Sequence, residues 1–418
     1  MDCFIINGGR RVKGSVKISG SKNAALPILF ATLLTDEKCE VSNVPDLADI
    51  KSTMNLLLYI GKICGHEDGV FTVSEEEPLK TRAPYELVRK MRASVLAAGP
   101  LLARFGKARF AMPGGCSIGV RPIDIHLEGL KQMGAEISYE DGDVVLNAGR
   151  LRPAVIPLHF PSVGATENIM MCASLVEGET VIKNAAREPE ITDLAKALSS
   201  MGAEISGAGT SVLRVGGRAR LGAVNYRVMP DRIETGSYML VCAAAGGELR
   251  LTDAAPDTLT VFSDALRQAG AKISASGSEI TIRAPEGRPA PVNVTTSPYP
   301  GFPTDLQAPW LSFVTMADGE CEVREEIFEN RFMHVPELMR MGADISVSGR
   351  KASVRGVPEL HGAPVMASDL RAGMALIVAA AAAKGKTFIR RVYHIDRGYE
   401  KIEEKLRAVG IDIKRTRE

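Results

Sequence analysis

The sequence predicts an α/β fold built from six copies of one unit, and three observations predict it. The first is a leucine that stands four residues before a glycine at six places, each glycine opening a short β-like run. The spacings between these glycines are 73, 68, 68, 72 and 68 residues, and the glycines are Gly61, Gly134, Gly202, Gly270, Gly342 and Gly410. A long fixed period indicates one multiplied supersecondary unit, here of about seventy residues.

The other two observations give the order of elements within a unit. An alanine-rich helical segment stops near a glycine, such as Gly178 or Gly385, and a β-branched run follows it. Glycine favours the left-handed conformation that ends a helix. After a loop comes a second, amphipathic helix that ends at the leucine–glycine mark, and then two short strands such as 137–139 and 144–146. Each unit is therefore predicted to fold as βαβαββ.

Length and composition indicate a globular protein of two domains. The chain has 418 residues, more than one ordinary core holds, so three units per domain would divide it near residues 224–232. Hydrophobic residues make up 45% and charged residues 24%, and 51 basic against 50 acidic residues leave a net charge of +1. This balance gives no signal for nucleic acid or a membrane as a partner. Any anion site must therefore be a local cluster.

Membrane insertion, secretion and disulfide bonds are not expected. The longest apolar run, 374–383, is too short and too rich in alanine to span a bilayer, and the stretch 1–10 lacks the order of a signal peptide. Seven cysteines without a Cys-x-x-Cys pair suit a reducing cytosol and argue against a zinc ribbon. We therefore expect a cytoplasmic protein without a bound metal.

The start of the alanine-rich helix differs informatively among the six units. Most units place a Ser, Thr, Asp or Asn there, and capping of the first helical turn is the plain explanation. Capping does not explain neighbouring cations, because the helix dipole disfavours positive charge at an N-terminus. Four units nevertheless carry one: Lys22, Arg92, Arg232 and Arg371. We expect these cations and the free backbone N–H groups to hold a ligand rich in phosphate or carboxylate, between the two domains if the helix starts converge.

The segment 112–126 is unlike any part of the other units. Two glycines precede Cys116 and one follows it, so we expect an exposed thiol on a mobile loop that acts as a lid. Arg121 can lower the thiol pKa from about 8.5 towards neutrality. His126 is expected on a helix face, and no base adjoins Cys116, so proton donation suits this thiol at least as well as nucleophilic attack. The remaining cysteines occupy apolar patterns and are expected to be inert: Cys3, Cys39, Cys64, Cys172, Cys242 and Cys321.

Eight segments of the sequence form long motifs, and they are residues 20–27, 113–124, 162–166, 184–190, 230–236, 302–305, 328–338 and 393–400. These motifs resemble those of the UDP-N-acetylglucosamine 1-carboxyvinyltransferase family of enolpyruvyl transferases. The resemblance runs in register from Ile6 to about Gly410, and its motifs are long enough to be highly specific. The resemblance implies a fold of two inside-out, barrel-like α/β domains of three repeats each, with buried helices and outward-facing sheets. It also implies domains at 1–21 with 230–418 and at 22–229, the second carrying the Cys116 loop, with the active site in the cleft between them.

The implied activity is transfer of the enolpyruvyl group of phosphoenolpyruvate to the 3-hydroxyl of UDP-N-acetylglucosamine, with release of phosphate, in peptidoglycan synthesis. The resemblance makes Cys116 the proton donor, able also to form a covalent adduct with the enolpyruvyl carbon, and Asp305 the base at the sugar hydroxyl. No cofactor is implied. The phosphate of phosphoenolpyruvate would be held by Lys22, Arg121 and Arg397, its carboxylate by Arg331 and Arg371, and the reacting centre supported by Asn23 and Asp369.

The resemblance also implies a nucleotide-sugar site. Its residues would be Asn23, Arg92, Arg121, Pro122, Ile123, Asp124, Ile125, Ser162, Val163, Gly164, Thr304, Asp305 and Ile327. One departure concerns the diphosphate: some family members have a lysine just before Ser162, where this chain has Phe160 and Pro161. The backbone N–H groups of the turn would then hold more of the diphosphate charge.

Three alternatives compete with this interpretation. An EPSP synthase would share the repeats and the cations but transfer the same group to shikimate 3-phosphate, and it would lack the Gly-Gly-Cys segment. A non-catalytic nucleotide-sugar sensor would be marked by loss of Asp305, Cys116 or Lys22, all of which are present. A repeat scaffold resembling a sliding clamp would need a basic face, which the net charge of +1 does not support. The oligomeric state stays open.

Overall fold

The structure is a computed structural model that describes residues 2–112 and 123–417. Cys116, Arg121 and Pro122 therefore lie outside the described residues. The described chain forms two compact units. The first, here called the terminal unit, combines residues 2–19 with 230–417, and the second, the central unit, comprises residues 20–112 and 123–229. Each unit has its own hydrophobic core.

The described strands form six four-stranded sheets. In chain order the strands are β1 (Asp2–Asn7), β2 (Val12–Lys17), β3 (Cys39–Ser42), β4 (Lys62–Glu67), β5 (Val70–Glu75), β6 (Arg82–Ala83), β7 (Lys107–Ala111), β8 (Glu136–Glu140), β9 (Asp143–Asn147), β10 (Val155–Pro157), β11 (Gly178–Lys183), β12 (Glu204–Ser206), β13 (Val212–Gly217), β14 (Asn225–Arg227), β15 (Gly247–Thr252), β16 (Lys272–Ser276), β17 (Glu279–Arg283), β18 (Val294–Thr295), β19 (Glu320–Arg324), β20 (Asp344–Ser348), β21 (Lys351–Arg355), β22 (Pro364–Met366), β23 (Lys386–Arg390) and β24 (Asp412–Arg417).

Helices alternate with these strands. The α-helices are α1 (Lys22–Ala31), α2 (Ala48–Ile60), α3 (Tyr85–Val88), α4 (Ala98–Phe105), α5 (Asp124–Gln132), α6 (Val163–Ala173), α7 (Pro189–Ser200), α8 (Arg232–Ala245), α9 (Thr260–Gln268), α10 (Gln307–Val314), α11 (Val335–Arg340), α12 (Leu370–Ala382) and α13 (Ile402–Ala408). Short 3-10 helices cover Thr32–Leu34, Arg92–Ala97, Pro256–Leu259, Thr304–Leu306 and Val392–Arg397.

Every sheet repeats one pairing scheme, shown by β10 to β13. Strand β10 runs parallel to β11, β11 pairs antiparallel with β13, and β12 pairs with β13 at the other edge. In chain order this unit reads β10, α6, β11, α7, β12 and β13. The predicted βαβαββ unit is therefore confirmed, and the protein is a mixed α/β fold.

The glycines of the repeat end helices as predicted. Each follows an amphipathic helix and has a positive φ: Gly61 (121°), Gly134 (104°), Gly202 (109°), Gly270 (100°), Gly342 (94°) and Gly410 (99°). Gly178 and Gly385 also have positive φ values, 111° and 89°. They lie five and three residues beyond the last residues of α6 and α12, however, so the expectation that they stop those helices is wrong. Their left-handed backbone instead turns the chain into β11 and β23.

The first helix of each repeat is buried, and the sheets are solvated on one side. Every residue of α10 is buried, and α1 and α12 are buried over nearly their whole length. Strands β8 and β16, by contrast, have only exposed or half-exposed residues. The apolar, alanine-rich helices therefore make up the interior of each unit, which is the inside-out arrangement that the resemblance implied.

Three sheets are completed by strands from distant parts of the chain. Strand β1 is the third strand of the sheet formed by β22, β23 and β24, so the sixth repeat is finished by the first residues of the chain. Strand β14 pairs with β3, and β2 pairs with β15. In chain order, β2 is followed by α1 and β14 is followed by α8. The starts of both helices carry a cation.

Candidate active site

Side chains cap four of the six helix starts singled out in the sequence. The caps are Ser21 before α1, Ser162 before α6, Asp231 before α8 and Asp369 before α12, each accepting a hydrogen bond from a backbone N–H of the first turn. The other two starts, at Arg92 and Thr304, open as 3-10 helices without a side-chain cap. Lys22 and Arg232 are the first residues of their helices, directly beside a cap. The cations therefore lie where the backbone N–H groups already favour an anion.

In the central unit, Lys22 forms a buried ion pair with Asp49. Its Nζ lies 3.0 Å from Oδ2 of Asp49, and the two side chains are 11% and 5% exposed. Asp49 belongs to the first turn of α2, so this helix fixes where the ammonium group points. Asn23, the next residue of α1, is half-buried. Asp49, which the sequence analysis did not single out, therefore fixes the position of the Lys22 charge at the start of α1.

The central unit also contains most of the segments assigned to the nucleotide sugar. Asp124 and Ile125 lie in the first turn of α5, with Ile123 as its buried N-terminal neighbour. Ahead of α6 the backbone turns tightly, since the N–H of Ser162 donates to the carbonyl oxygen of Phe160 at 2.7 Å. The Phe160 side chain is 39% exposed. Val163 and Gly164 then open α6 with the N–H groups that a diphosphate would need.

In the terminal unit, three predicted site residues form one cluster. Asp305 accepts a hydrogen bond from Nη2 of Arg331 at 2.7 Å and another, on its second oxygen, from Nη2 of Arg371 at 2.7 Å. The arginine side chains are 4% and 7% exposed, whereas that of Asp305 is 27% exposed. The structure therefore brings together the proposed base and the two proposed carboxylate-binding residues. Two buried guanidinium groups on one carboxylate make a strong, oriented anion site.

Two side chains that the sequence analysis missed hold this cluster. Tyr399 accepts a hydrogen bond from Nη1 of Arg371 at 3.2 Å and pairs with the Ser237 hydroxyl at 2.8 Å. Glu325 is fully buried. Its Oε2 accepts from the Thr304 hydroxyl at 2.9 Å, and its Oε1 accepts from the backbone N–H of Ile327 at 2.9 Å. Glu325 thus ties together two residues assigned to the sugar site, and no local motif distinguishes it from other strand-end glutamates.

The remaining terminal-unit candidates lie on neighbouring segments. Asp369 accepts hydrogen bonds on Oδ1 from the backbone N–H groups of Arg371 and Ala372, at 2.8 and 3.0 Å, and its Oδ2 accepts one from the Ser368 hydroxyl at 3.2 Å. Arg397 ends the 3-10 helix Val392–Arg397. Burial first, and then the charge of Arg397, lower the pKa of His394, so that ring favours its neutral form. The charge of Asp369 opposes this shift, so Asp369 and Arg397 both act on the His394 ring.

His334 is a buried imidazole next to the arginine–aspartate cluster. The residue is 1% exposed, and its Nε2 has no hydrogen-bond partner among the described residues. Burial lowers its pKa to about 4, opposed by the charge of Asp369 and reinforced by that of Arg331. A protonated ring would place a second positive charge beside Arg331 in a region with little water. The fold therefore holds His334 neutral.

This neutral histidine predicts a loss of stability in acid. An unfolded histidine titrates near pH 6.5, so protons bind the unfolded chain first as the pH falls, and the contribution of His334 is lost between about pH 6.5 and 4. Between pH 6.5 and 4, the free energy of unfolding should therefore fall by up to about 3 kcal/mol less for His334→Gln than for the parent protein. Denaturant titrations at several pH values measure it, and the difference between variant and parent isolates His334 from other titrating groups.

The exposed His361 of the same unit supplies the matched control. His361→Gln should change the free energy of unfolding by less than about 0.5 kcal/mol, because its side chain is 64% exposed and surface substitutions cost little. Parallel curves for the parent protein and His334→Gln down to pH 4 would contradict the prediction.

The six described cysteines lie in strands or helices, as predicted. Five are buried and Cys64 is half-buried. Burial raises the pKa of Cys64, Cys172 and Cys242 to about 12 and that of Cys321 to about 11, so these thiols stay protonated at neutral pH. Such thiols are poor nucleophiles and poor proton donors. The roles expected of Cys116, Arg121 and Pro122 concern positions outside the described residues.

Neither a metal-binding cluster nor a membrane-spanning helix is found among the described residues. No group of three or more His, Cys, Asp or Glu side chains suited to a metal ion occurs in residues 2–112 or 123–417. Over the same stretches, none of the helices combines the length and apolar character needed to cross a bilayer.

Comparison with known proteins gives the relatives of this chain. A family model described as EPSP synthase (3-phosphoshikimate 1-carboxyvinyltransferase) matches residues 6–406. A UDP-N-acetylglucosamine 1-carboxyvinyltransferase from Elusimicrobium minutum is 52% identical over 416 residues, covering 99% of both chains. A protein of the same name from Desulfovibrio desulfuricans is 51% identical over 418 residues, covering 100% of both chains.

Solved structures agree with this relationship. The enolpyruvyl transferase NikO from Streptomyces tendae matches with a TM-score of 0.89 and 25% identity over 99% of both chains. An EPSP synthase from Acinetobacter baumannii matches with a TM-score of 0.77 over 100% of both chains, and at 18% identity it supports the fold alone. Together with the full-length relatives, these matches show that the chain belongs to the EPSP synthase family and, within it, to the UDP-N-acetylglucosamine 1-carboxyvinyltransferases.

Proposed function

We propose that this protein transfers the enolpyruvyl group of phosphoenolpyruvate to the 3-hydroxyl of UDP-N-acetylglucosamine and releases phosphate, a step of peptidoglycan synthesis. The observation that carries the proposal is the cluster of Asp305 with Arg331 and Arg371, in a chain about half identical to relatives of that name over its full length. Two buried arginines that already hold a carboxylate group are suited to the carboxylate of phosphoenolpyruvate.

The reaction is an addition followed by an elimination. In the addition, the sugar hydroxyl loses its proton to Asp305 and its oxygen bonds to C2 of phosphoenolpyruvate, while Cys116 donates a proton to C3. In the elimination, a proton leaves C3 and the C2–O bond to phosphate breaks, which restores the double bond and releases inorganic phosphate. The same thiol can instead add to C2 and give a covalent adduct.

Charged side chains would hold the donor through both steps. The phosphate would bind Lys22, Arg121 and Arg397, and the carboxylate would bind Arg331 and Arg371, with Asn23 and Asp369 at the reacting carbons. Arg331 supports this assignment with a buried Nε that lacks a hydrogen-bond partner among the described residues. Buried arginine donors are normally satisfied, so this one has capacity for a ligand oxygen.

The nucleotide sugar would be held mainly by the starts of α5 and α6. The tight turn at Ser162, Val163 and Gly164 offers backbone N–H groups to the diphosphate, which compensates for the absence of a lysine at Phe160. Further contacts are assigned to Asn23, Arg92, Arg121, Pro122, Ile123, Asp124, Ile125, Thr304, Asp305 and Ile327. Cysteine usage supports a cytoplasmic location, where both substrates would be available.

One experiment separates this function from its closest alternative. Phosphate release is measured from phosphoenolpyruvate with either UDP-N-acetylglucosamine or shikimate 3-phosphate as acceptor, and mass spectrometry identifies the product and any adduct on Cys116. Turnover with the nucleotide sugar alone is the expected result. Turnover only with shikimate 3-phosphate would overturn the proposal in favour of an EPSP synthase, and binding of the nucleotide sugar without turnover would indicate a sensor.

The phosphate-binding cations yield a specific kinetic prediction. Lys22→Ala and Arg397→Ala should each raise KM for phosphoenolpyruvate by about tenfold to a hundredfold, the value of a charge-assisted hydrogen bond. KM for UDP-N-acetylglucosamine should change much less, because these residues are assigned to the donor. Steady-state kinetics with each substrate varied in turn measures both constants.

Lys51→Ala is the matched control for Lys22→Ala. Lys51 also pairs with an aspartate in the central unit, Asp46, at 2.8 Å, but both side chains are more than half exposed. Its loss should leave both constants unchanged, since exposed ion pairs contribute little. An equal rise in both constants for Lys22→Ala would contradict the assignment of that residue to the donor phosphate.

A further inference from the structure

A single buried amide in the central unit joins the segments assigned to the nucleotide sugar. Asn168 lies in α6, five residues after the first residue of that helix, and it is 0% exposed. Its Oδ1 accepts a hydrogen bond from the backbone N–H of Gly99 at 2.7 Å. Its Nδ2 lies 3.2 Å from the carbonyl oxygen of Val95 and 3.1 Å from Nδ1 of His126. All the strong hydrogen-bonding positions of the amide are thus used inside the protein.

Asn168 and its partners belong to three segments that carry proposed sugar contacts. Val95 lies in the 3-10 helix that begins at Arg92, and this helix leads directly into α4, which contains Gly99. His126 lies in the first turn of α5, two residues after Asp124. Asn168 itself extends from the helix that begins with Val163 and Gly164. Helix α6 packs against α5, α4 and this 3-10 helix, so the amide lies where α6 meets the other segments.

The backbone partners determine how the amide is oriented. Turning it by half a rotation would set the NH2 group against the N–H of Gly99 and the oxygen against the carbonyl of Val95, so both contacts would become repulsive. The NH2 group therefore faces His126, and Nδ1 of the ring must accept its hydrogen bond. A neutral ring then carries its proton on Nε2.

The start of α6 packs directly on this imidazole. A Cβ atom built on Gly164 would lie 3.1 Å from Cε1 and 3.3 Å from Nε2 of His126, closer than side chains normally approach. A Cβ atom on Gly99 would lie 2.4 Å from the Asn168 Oδ1. Both glycines therefore allow backbone to approach the Asn168–His126 pair, and Nε2 of the ring faces the turn that would bind the diphosphate.

We propose that Asn168 is a positioning residue for the nucleotide-sugar acceptor, an inference that rests on the proposed function. Its amide holds the segments of Arg92, Asp124 and Gly164 in one arrangement, and it sets the His126 tautomer with Nε2–H towards the start of α6. A single change at this buried position therefore alters several acceptor contacts together. Of the residues assigned to the donor, Arg331, Arg371 and Arg397 belong to the other unit, and Lys22 is not among the hydrogen-bond partners of Asn168.

The decisive variant is Asn168→Asp, which keeps the shape of the side chain and removes both N–H donors. We expect KM for UDP-N-acetylglucosamine to rise by about tenfold or more, because small misplacements of binding groups have effects of this size. KM for phosphoenolpyruvate, measured at saturating sugar, should stay within about twofold of the parent value. Ser174→Ala is the matched control, because it removes a buried hydrogen bond of 2.9 Å at the opposite end of the same helix. It should change neither constant.

A second readout reports the tautomer directly. In 15N spectra of histidine-labelled protein, the His126 signal is identified by its loss in His126→Gln. The parent should show a protonated Nε2 and an accepting Nδ1, and Asn168→Asp should show a proton on Nδ1, because a carboxylate can only accept. Should the aspartate variant fail to fold, His126→Phe removes Nδ1, the atom that accepts the hydrogen bond from Asn168. This variant should raise KM for UDP-N-acetylglucosamine by a similar factor.

The outcomes are distinguishable. A parent enzyme that turns over, with sugar KM unchanged in Asn168→Asp and His126→Phe, overturns the inference and leaves the proposed function standing. A parent ring protonated on Nδ1 also overturns the inference. Absence of turnover by the parent with phosphoenolpyruvate and UDP-N-acetylglucosamine overturns the proposed function, and with it the acceptor that this role requires.

Discussion

Replacing Cys116 with serine should abolish turnover. A hydroxyl is a far weaker acid than a thiol, so it cannot deliver the proton that C3 of phosphoenolpyruvate must receive as the sugar oxygen attacks C2. Loss of a general acid costs about 10²–10⁴-fold in rate, and more where no water can substitute. The change is measured as phosphate release from phosphoenolpyruvate and UDP-N-acetylglucosamine, with mass spectrometry to test for a residual product.

Two further variants make this result specific to proton donation. Cys116→Asp should retain turnover, because a carboxyl group can donate a proton, yet it should escape epoxide inhibitors of the fosfomycin kind that alkylate sulfur. Cys64→Ser is the control, since burial raises the pKa of that thiol to about 12 and no role is assigned to it. Normal turnover by the serine variant at position 116 would show that the acid is another group.

The second large effect is expected for Asp305→Asn. The amide keeps the size of the side chain but is a far weaker base, so kcat should fall by about 10²–10⁴-fold. The same substitution should not weaken the binding of phosphoenolpyruvate, although it lowers kcat. Asp305 now occupies both Arg331 and Arg371 at 2.7 Å, so the carboxylate of phosphoenolpyruvate must compete with it for these groups. An uncharged amide competes less, and phosphoenolpyruvate should bind the variant at least as tightly as the parent.

Calorimetric titration of phosphoenolpyruvate, alongside steady-state kinetics, tests both halves of this prediction. Asp318→Asn is a suitable control, because Asp318 pairs with Arg288 at the surface of the same unit with a side chain that is 75% exposed. It should alter neither kcat nor binding. A kcat near the parent value for Asp305→Asn would remove Asp305 as the base. Markedly weaker phosphoenolpyruvate binding would show that the aspartate assists the donor instead of competing with it.

The repeat and its local endings could be predicted from sequence because they are local properties. A glycine after an amphipathic helix takes the left-handed conformation whatever surrounds it, and all six glycines of the repeat do so. Gly178 and Gly385 show the limit of the same rule. Each helix before them ends without glycine, and the glycine turns the following chain into a strand instead. Sequence therefore predicted the type and order of elements more reliably than the residue at which each one ends.

The candidate site was predictable only in its residue types. Cations beside helix caps indicated anion binding, and Ser21, Ser162, Asp231 and Asp369 do cap their helices. The residues that hold these candidates in place were not predictable. Asp49 and Glu325 lie outside the matching segments, and Tyr399 lies inside one without any role implied for it. Each of the three acts through a contact with a residue distant in the chain.

The sequence by itself determined the period of about seventy residues, the βαβαββ order, the family and the placement of charge at helix starts, since each depends on neighbouring residues or on long matching segments. Only the tertiary structure decided that β1 completes the sixth sheet, that Asp305 bridges arginines 26 and 66 residues away, and that Asn168 joins three helix starts. The physical reason is that such contacts depend on how elements pack, and residues far apart in the chain carry no local signal of their pairing.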